Sequence, residues 1–313
     1  MKKILTILFT FHFSLFTPSL AQEHIVFTPQ WMPQAQFAGY YVAKEKGFYK
    51  EAGLNVDIVH PSPTQSVISR IRNNECQIMT MQLCQALQVI DNDIPMVNIL
   101  QTSMNNGTMI VSYTNKNPLS LKGARIAKWK DFGQMAICMN KRKGLDYEWI
   151  DIGMSINLFV KGLFDAMVVM SYNEYFHLLQ SGMMLSEKNI CRLSDHGYNV
   201  QEDGVYMTQA YYQTHKQQAQ KFAQASKKGW EWAANHPEET LDIVMKYVHK
   251  DHVSTNRTMQ KLMLKEILNL MTDKQSGKRE YRLRPDMVEL ASRLMLEAGL
   301  LKQEVKYEQL IQR

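Results

Sequence analysis

Cysteine is scarce in this 313-residue chain, and the four present, Cys76, Cys84, Cys138 and Cys191, stand at spacings that match no zinc signature. Their apolar neighbours, such as Ile78-Met79 and Ala136-Ile137, point to buried free thiols and away from a disulfide framework. Beyond the N-terminus no run of eighteen apolar residues occurs, so nothing there reads as a membrane-spanning helix. A charge excess of one sign is also lacking, and basic residues interleave with acidic ones, which argues against nucleic acid as a partner. Repeats and low-complexity tracts are absent. The common catalytic frames are missing as well: there is no Gly-x-Ser-x-Gly elbow, no Walker A loop and no His-Glu-x-x-His. Nine histidines are scattered over different elements, and His249 and His252 lack the intervening pattern of a metal site, so the sequence predicts no metal and no cofactor.

What is present begins with an export signature. Lys2 and Lys3 precede the apolar stretch Ile4 to Phe16, and small residues follow at Ser19 and Ala21, which predicts a secretory leader over residues 1–21 and a periplasmic chain. No cysteine near that cut offers a lipoprotein anchor. Removing Lys2 and Lys3 with the leader leaves 34 basic against 30 acidic side chains, a net charge of +4. The remaining length exceeds one ordinary hydrophobic core and predicts two lobes in a monomer.

From Ile25 to Ala210 short β-rich runs alternate with amphipathic stretches, the pattern of an α/β fold with mainly parallel strands. Strands are expected near residues 25–28, 56–59, 77–81, 96–101, 108–113, 125–128, 147–152, 166–170 and 205–208. One helix is expected from Phe37 to Ala52, ended by Gly53, and another after Ser62 as N-cap, reaching Asn74. Past Ala210 the period is helical throughout, with helices expected at residues 214–235, 237–248, 255–271, 285–298 and 304–312; Pro237 and Pro285 suit first-turn positions.

The passage Phe27-Thr-Pro-Gln-Trp31-Met-Pro33-Gln-Ala-Gln-Phe37-Ala-Gly-Tyr-Tyr41, continuing through Gly47-Phe-Tyr and Gly53-Leu-Asn-Val56, resembles the opening of NMT1/THI5-like substrate-binding proteins of ABC transporters. A second passage, Phe164-Asp-Ala-Met-Val-Val-Met-Ser-Tyr172-Asn-Glu174, is similar to the thiamine-pyrimidine-binding members. The resemblance implies a type II periplasmic binding protein fold, two α/β lobes with a ligand cleft between them and a helical C-terminal region. Lobe one would comprise residues 22–105 and 206–313, lobe two residues 106–205. It further implies a small planar heterocycle as ligand, such as formylaminopyrimidine or hydroxymethylpyrimidine, and an ABC permease as partner. Nitrate, taurine, alkanesulfonate and riboflavin are alternative ligands, and a sensing module for a membrane receptor is an alternative role.

Ligands of open α/β sheets sit beyond the carboxyl ends of strands. Trp31, Gln36 and Tyr40 follow the first expected strand, Gln82 the third, Trp129 the strand at 125–128, and Tyr172, Asn173 and Glu174 the strand at 166–170. Trp31 offers a flat stacking face, and Glu174 an acceptor for an amine beside a ring nitrogen. Gln34 is a further polar candidate. Fungal relatives include a pyrimidine phosphate synthase, whose lysine for pyridoxal phosphate and whose histidine four residues on align with Met81 and Gln85 here. Its cysteines should fall near residues 196–206, where this chain has none. A binder, not an enzyme, is the expectation.

Overall fold

The computed structural model describes residues 23–62, 65–153 and 155–311; the predicted leader lies outside them. Among the described residues ten strands run in chain order as β1 (Glu23–Thr28), β2 (Leu54–Ile58), β3 (Ile78–Gln82), β4 (Met96–Gln101), β5 (Thr108–Ser112), β6 (Arg125–Trp129), β7 (Glu148–Ile152), β8 (Ala166–Met170), β9 (Ile190–Arg192) and β10 (Asp203–Thr208). They form two five-stranded sheets, ordered β2-β1-β3-β10-β4 and β7-β6-β8-β5-β9. Three parallel strands lead each sheet, and β10 and β5 run antiparallel to both of their neighbours. The sheets are therefore mixed, not mainly parallel. The antiparallel member in each sits beside the segment where the chain passes from one lobe to the other, and a crossing strand has no βαβ crossover to set its direction.

The helices are α1 (Ala38–Glu45), α2 (Phe48–Glu51), α3 (Val67–Arg72), α4 (Leu83–Asp91), α5 (Gln134–Lys143), α6 (Asn157–Val160), α7 (Glu174–Gln180), α8 (Gln209–Thr214), α9 (Lys216–Asn235), α10 (Pro237–Lys250), α11 (Arg257–Leu270), α12 (Pro285–Glu297) and α13 (Tyr307–Leu310). The single helix expected over residues 37–52 is two, because Gly47 at φ 79° turns the chain left-handed between them. The N-cap expected at Ser62 belongs to Ser66, whose side chain accepts from the Ser69 amide. The short edge strand β9 was not expected, since three residues carry no alternation to read.

Lobe one is built on a close crossing of α1 and α9. A Cβ at Gly39 would fall 2.2 Å from the Trp230 ring, and one at Gly229 would fall 2.1 Å from the Gly39 carbonyl oxygen. The two glycines let the helix backbones meet, and the fully buried Trp230 packs edge-on to Tyr40, with ring centroids 5.6 Å apart.

The lobes are joined by the segments 102–107 and 193–202, which lie side by side. The Asp203 carbonyl accepts from the Thr102 and Ser103 amides, both at 3.0 Å. Glu202 reaches across to the start of β5, accepting from the Gly107 amide at 2.9 Å and from Thr108 Oγ1 at 2.6 Å. The helical tail clamps this junction: Gln201 donates to the Arg282 carbonyl and accepts from the Arg284 amide, while Asn105 donates to the Thr272 carbonyl.

Candidate functional site

A cleft with about 500 Å³ of free space, part of it open to solvent, lies between the lobes at the carboxyl ends of β1, β3, β6 and β8. Trp31, Gln36, Gln82, Trp129, Tyr172, Asn173 and Glu174 all line it, as does Gln34. Tyr40 does not. It is 1 % exposed inside lobe one, its ring 4.8 Å from Phe27 and edge-on to Trp230, because its place on α1 points it at α9 and away from the cleft.

One wall is aromatic. The Trp31 ring stands 6.3 Å from Trp129 and 5.9 Å from Phe132, the latter edge-to-face, so lobe one touches lobe two through rings at the mouth. The Trp31 loop is held by His60, whose Nδ1 lies 2.6 Å from the Trp31 carbonyl and whose Nε2 lies 2.9 Å from the Tyr41 hydroxyl. A carbonyl only accepts, so Nδ1 carries the proton and Nε2 accepts from Tyr41. Burial lowers the His60 pKa to about 4, which keeps the ring in that neutral form.

The floor is a carboxamide network. Gln34 Nε2 donates to Gln36 Oε1 at 2.6 Å, and Gln36 Nε2 donates to Asp203 Oδ2 at 2.7 Å and to the Tyr172 hydroxyl at 3.1 Å. Gln30 Nε2 donates to the other oxygen of Asp203 at 2.8 Å. The network thus joins β1's exit loop, the crossing segment and lobe two. Burial raises the Asp203 pKa, while the two carboxamide donors oppose that shift. Burial also lifts the Tyr172 phenol well above its ordinary value, so it stays neutral.

Glu174 opens α7 and is 4 % exposed. Its Oε2 accepts from the Met170 amide at 2.8 Å and its Oε1 from Asn173 Nδ2 at 2.9 Å. Its pKa is raised by burial, against the pull of these donors. The Trp129 indole N–H lies close enough to favour the charged carboxylate, yet it makes no hydrogen bond among the described residues.

Among the described residues lining the cavity there is no lysine or arginine. A wider polar recess continues outward past Trp31 and Glu174 to His177, Asp251, His252 and Gln260, again without a lysine or arginine among its described lining. A cavity with carboxylates and no fixed cation disfavours anions and suits neutral or protonated guests. The described lining likewise includes no lysine that could form a Schiff base. Met81 is fully buried in β3, and Gln85 Nε2 is spent on the Asp131 carbonyl.

Sequence reasoning passed over Gln30 and Asp203. Gln30 sits inside the same motif as Trp31, one residue before it, and was legible there. Asp203 was not, since a single acid at the start of a strand carries no spacing signal. Among the described residues no three His, Cys, Asp or Glu side chains cluster as metal ligands, and no helix is long and apolar enough to cross a membrane.

Comparison with known proteins agrees with this architecture. The family model described as NMT1/THI5 like matches residues 34–240. The formylaminopyrimidine-binding protein of Halalkalibacterium halodurans is 26% identical over 242 residues, covering 72% of this chain and 71% of that protein. A 4-amino-5-hydroxymethyl-2-methylpyrimidine phosphate synthase of Aspergillus parasiticus is 25% identical over 156 residues, 47% of this chain and 46% of that protein. The periplasmic aliphatic sulphonate-binding protein SsuA of Escherichia coli superposes with a TM-score of 0.66 at 13% identity, covering 92% of this chain and 97% of that one. The fold is that of a type II periplasmic binding protein.

Proposed function

The chain belongs to the NMT1/THI5-like family, and from that premise we propose that it is the extracytoplasmic substrate-binding component of an ABC importer, capturing a small planar nitrogen heterocycle of the thiamine-pyrimidine type. The observation that carries this reading is the cavity itself: aromatic rings on one wall, carboxamides on the floor, a buried carboxylate at Glu174, and no cation on the described lining. Formylaminopyrimidine and hydroxymethylpyrimidine fit that chemistry. Each has a flat ring to stack, an exocyclic amine to donate and ring nitrogens to accept or to carry a proton. The likeness to the formylaminopyrimidine-binding relative points the same way.

Trp31 would stack on the ring, with Gln82, Trp129, Tyr172 and Asn173 along its edges, Gln36 holding the floor beneath it and Glu174 facing the amine. Lobe one, residues 22–105 and 206–313, would close on lobe two, residues 106–205, around the two crossing segments. Ligand contacts made only in the closed form select that form, which a permease then recognises. Delivery to the periplasm would follow removal of the leader over residues 1–21, and the mature chain would act as a monomer. The sulphonate-binding neighbour shares the shape, yet a compact anion in this cavity would meet Glu174 with no fixed positive charge to offset it.

The test is a thermal-shift and calorimetry panel of formylaminopyrimidine, hydroxymethylpyrimidine, thiamine, riboflavin, taurine and nitrate. A pyrimidine at 100 times its Kd should stabilise the fold by about 2.7 kcal/mol, and the anions should leave it unmoved. Stabilisation by taurine or nitrate alone would overturn the reading. Absorbance near 400 nm with pyridoxal phosphate, fixed by borohydride to a lysine, would reopen catalysis.

A further inference from the structure

We propose that Gln30 is the specificity-determining residue of this site, its side-chain carbonyl oxygen accepting a hydrogen bond from an exocyclic amine on the ring, and that Asp203 is the positioning residue that fixes this polarity. The inference rests on the functional reading above and names which group reads the ligand.

Gln30 is 6 % exposed and lines the cavity. Its main chain is pinned by the bond from its amide to Thr80 Oγ1 at 2.8 Å, and its Nε2 is committed to Asp203 Oδ1 at 2.8 Å. Asp203 offers acceptors to both carboxamides it touches, so a flipped Gln30 would set Oε1 against a carboxylate oxygen. The amide is therefore held with Nε2 on Asp203 and its carbonyl oxygen left for the cavity. That oxygen is buried and has no hydrogen-bond partner among the described residues, whereas the neighbouring Gln36 is satisfied at both ends. Buried acceptors are rarely left unpaired, and one aimed into a ligand cavity calls for a donor on the guest. A ring carbonyl at the same place would meet Gln30 oxygen to oxygen, so the site should distinguish an amino ring from an oxo ring.

The test compares three probes by calorimetry: 4-amino-5-hydroxymethyl-2-methylpyrimidine, its 4-methyl analogue and its 4-oxo analogue. The wild-type protein should prefer the amino ring over the other two by about ten- to hundredfold, the range expected when a buried polar group loses its partner. Gln30→Met removes one of the two acceptors the amine would meet, Glu174 being the other, and should cut the amino-over-methyl preference by about threefold or more. Asp203→Asn gives Gln30 a partner that both donates and accepts, which frees it to flip. That variant should gain affinity for the oxo ring relative to the amino ring. Equal binding of amino and methyl rings by the wild type overturns the proposal, and that arm needs no variant to fold. An undiminished preference in Gln30→Met overturns it with the functional reading intact. An unchanged amino-to-oxo ratio in Asp203→Asn overturns the positioning role. Failure of the wild type to bind any of the three overturns the functional reading and this inference together.

Discussion

His60 shows how one side chain can fix a binding loop through its tautomer. Its ring bridges the Tyr41 hydroxyl and the Trp31 carbonyl, so the Trp31 loop is held by a proton that must sit on Nδ1. Protonating Nε2 would leave two donors facing the Tyr41 O–H. With the folded pKa lowered from 6.5 to about 4, the unfolded chain binds the extra proton first. The His60 contribution is therefore present above pH 6.5 and is lost as pH falls through about 4, amounting to about 3 kcal/mol. Chemical denaturation of wild type and His60→Gln at pH 7.5 and pH 4.5 should show the wild type losing more stability on acidification than the variant; parallel losses would refute this role. Glu174 makes a second prediction at this scale. Its oxygens accept from Met170 and Asn173, so in Glu174→Gln an amide N–H must face one of those donors, and the acceptor for the ligand amine weakens. Affinity for the pyrimidine should fall at least about tenfold by calorimetry, and an unchanged Kd would remove Glu174 from the site.

At the scale of elements the junction between the lobes is the most constrained part of the chain. Glu202, where the chain returns to lobe one, binds Gly107 and Thr108 at the entry to β5, while a Cβ at Gly107 would lie 2.8 Å from Leu270 and 3.1 Å from Ser171 Oγ. Burial raises the Glu202 pKa from 4.5 to about 8, so the folded protein holds this carboxyl protonated near neutrality. The sign is opposite to that of His60: this stability is full below pH 4.5 and is lost as pH rises through about 8. Between pH 4.5 and 6.5 the two effects oppose each other, so single variants must be compared with wild type. Glu202→Gln accepts from Gly107 and donates to Thr108 without a charge, and should raise Tm by roughly 5 °C at pH 9 while changing little at pH 5. A variant with the wild-type pH slope would show that Glu202 is not the titrating group. The sequence makes most elements legible, because alternation marks β5 and β8 and helical period marks α9 to α12. It is silent where tertiary contact overrides local pattern. Gly47 splits a continuous amphipathic stretch, and Ser66 caps α3 instead of Ser62. The site was legible for the same reason that strand ends are legible, since Trp31, Gln82, Trp129 and Tyr172 follow or end recognisable strands. Tyr40 misled because its spacing from Trp31 does not say which face of α1 it occupies, and Asp203 escaped because its partners are more than 160 residues away in sequence.

For the whole molecule the contacts between lobes divide into a seam and a cleft side. Along the seam α4 and α5 pack with α12 in one continuous core that includes Leu87, Met135, Cys138, Met139, Leu294 and Met295, and Gln134 Nε2 donates to Gln88 Oε1 at 3.0 Å. On the cleft side the contacts are lighter: the Trp31, Trp129 and Phe132 rings, Tyr172 with Met170 and Phe176 against the lobe-one core, Gln36 to Tyr172, and Ser171 Oγ to Glu266 Oε1 at 2.7 Å. The seam joins three helices in one core and costs more to part, so opening should pivot on the seam and part the cleft side. The two regions then answer mutation differently. Ser171→Ala removes a closed-state bond to a carboxylate, lowers the population of the closed form, and should weaken ligand affinity about three- to tenfold with little change in Tm. Leu294→Ala opens a cavity in the seam and should cost about 2–5 kcal/mol of stability while leaving the Kd within about twofold. Calorimetry and thermal unfolding on the two variants separate these effects. If Leu294→Ala shifts affinity more than Ser171→Ala does, the pivot lies elsewhere, because a seam that stays packed in both states has no leverage on the closing equilibrium.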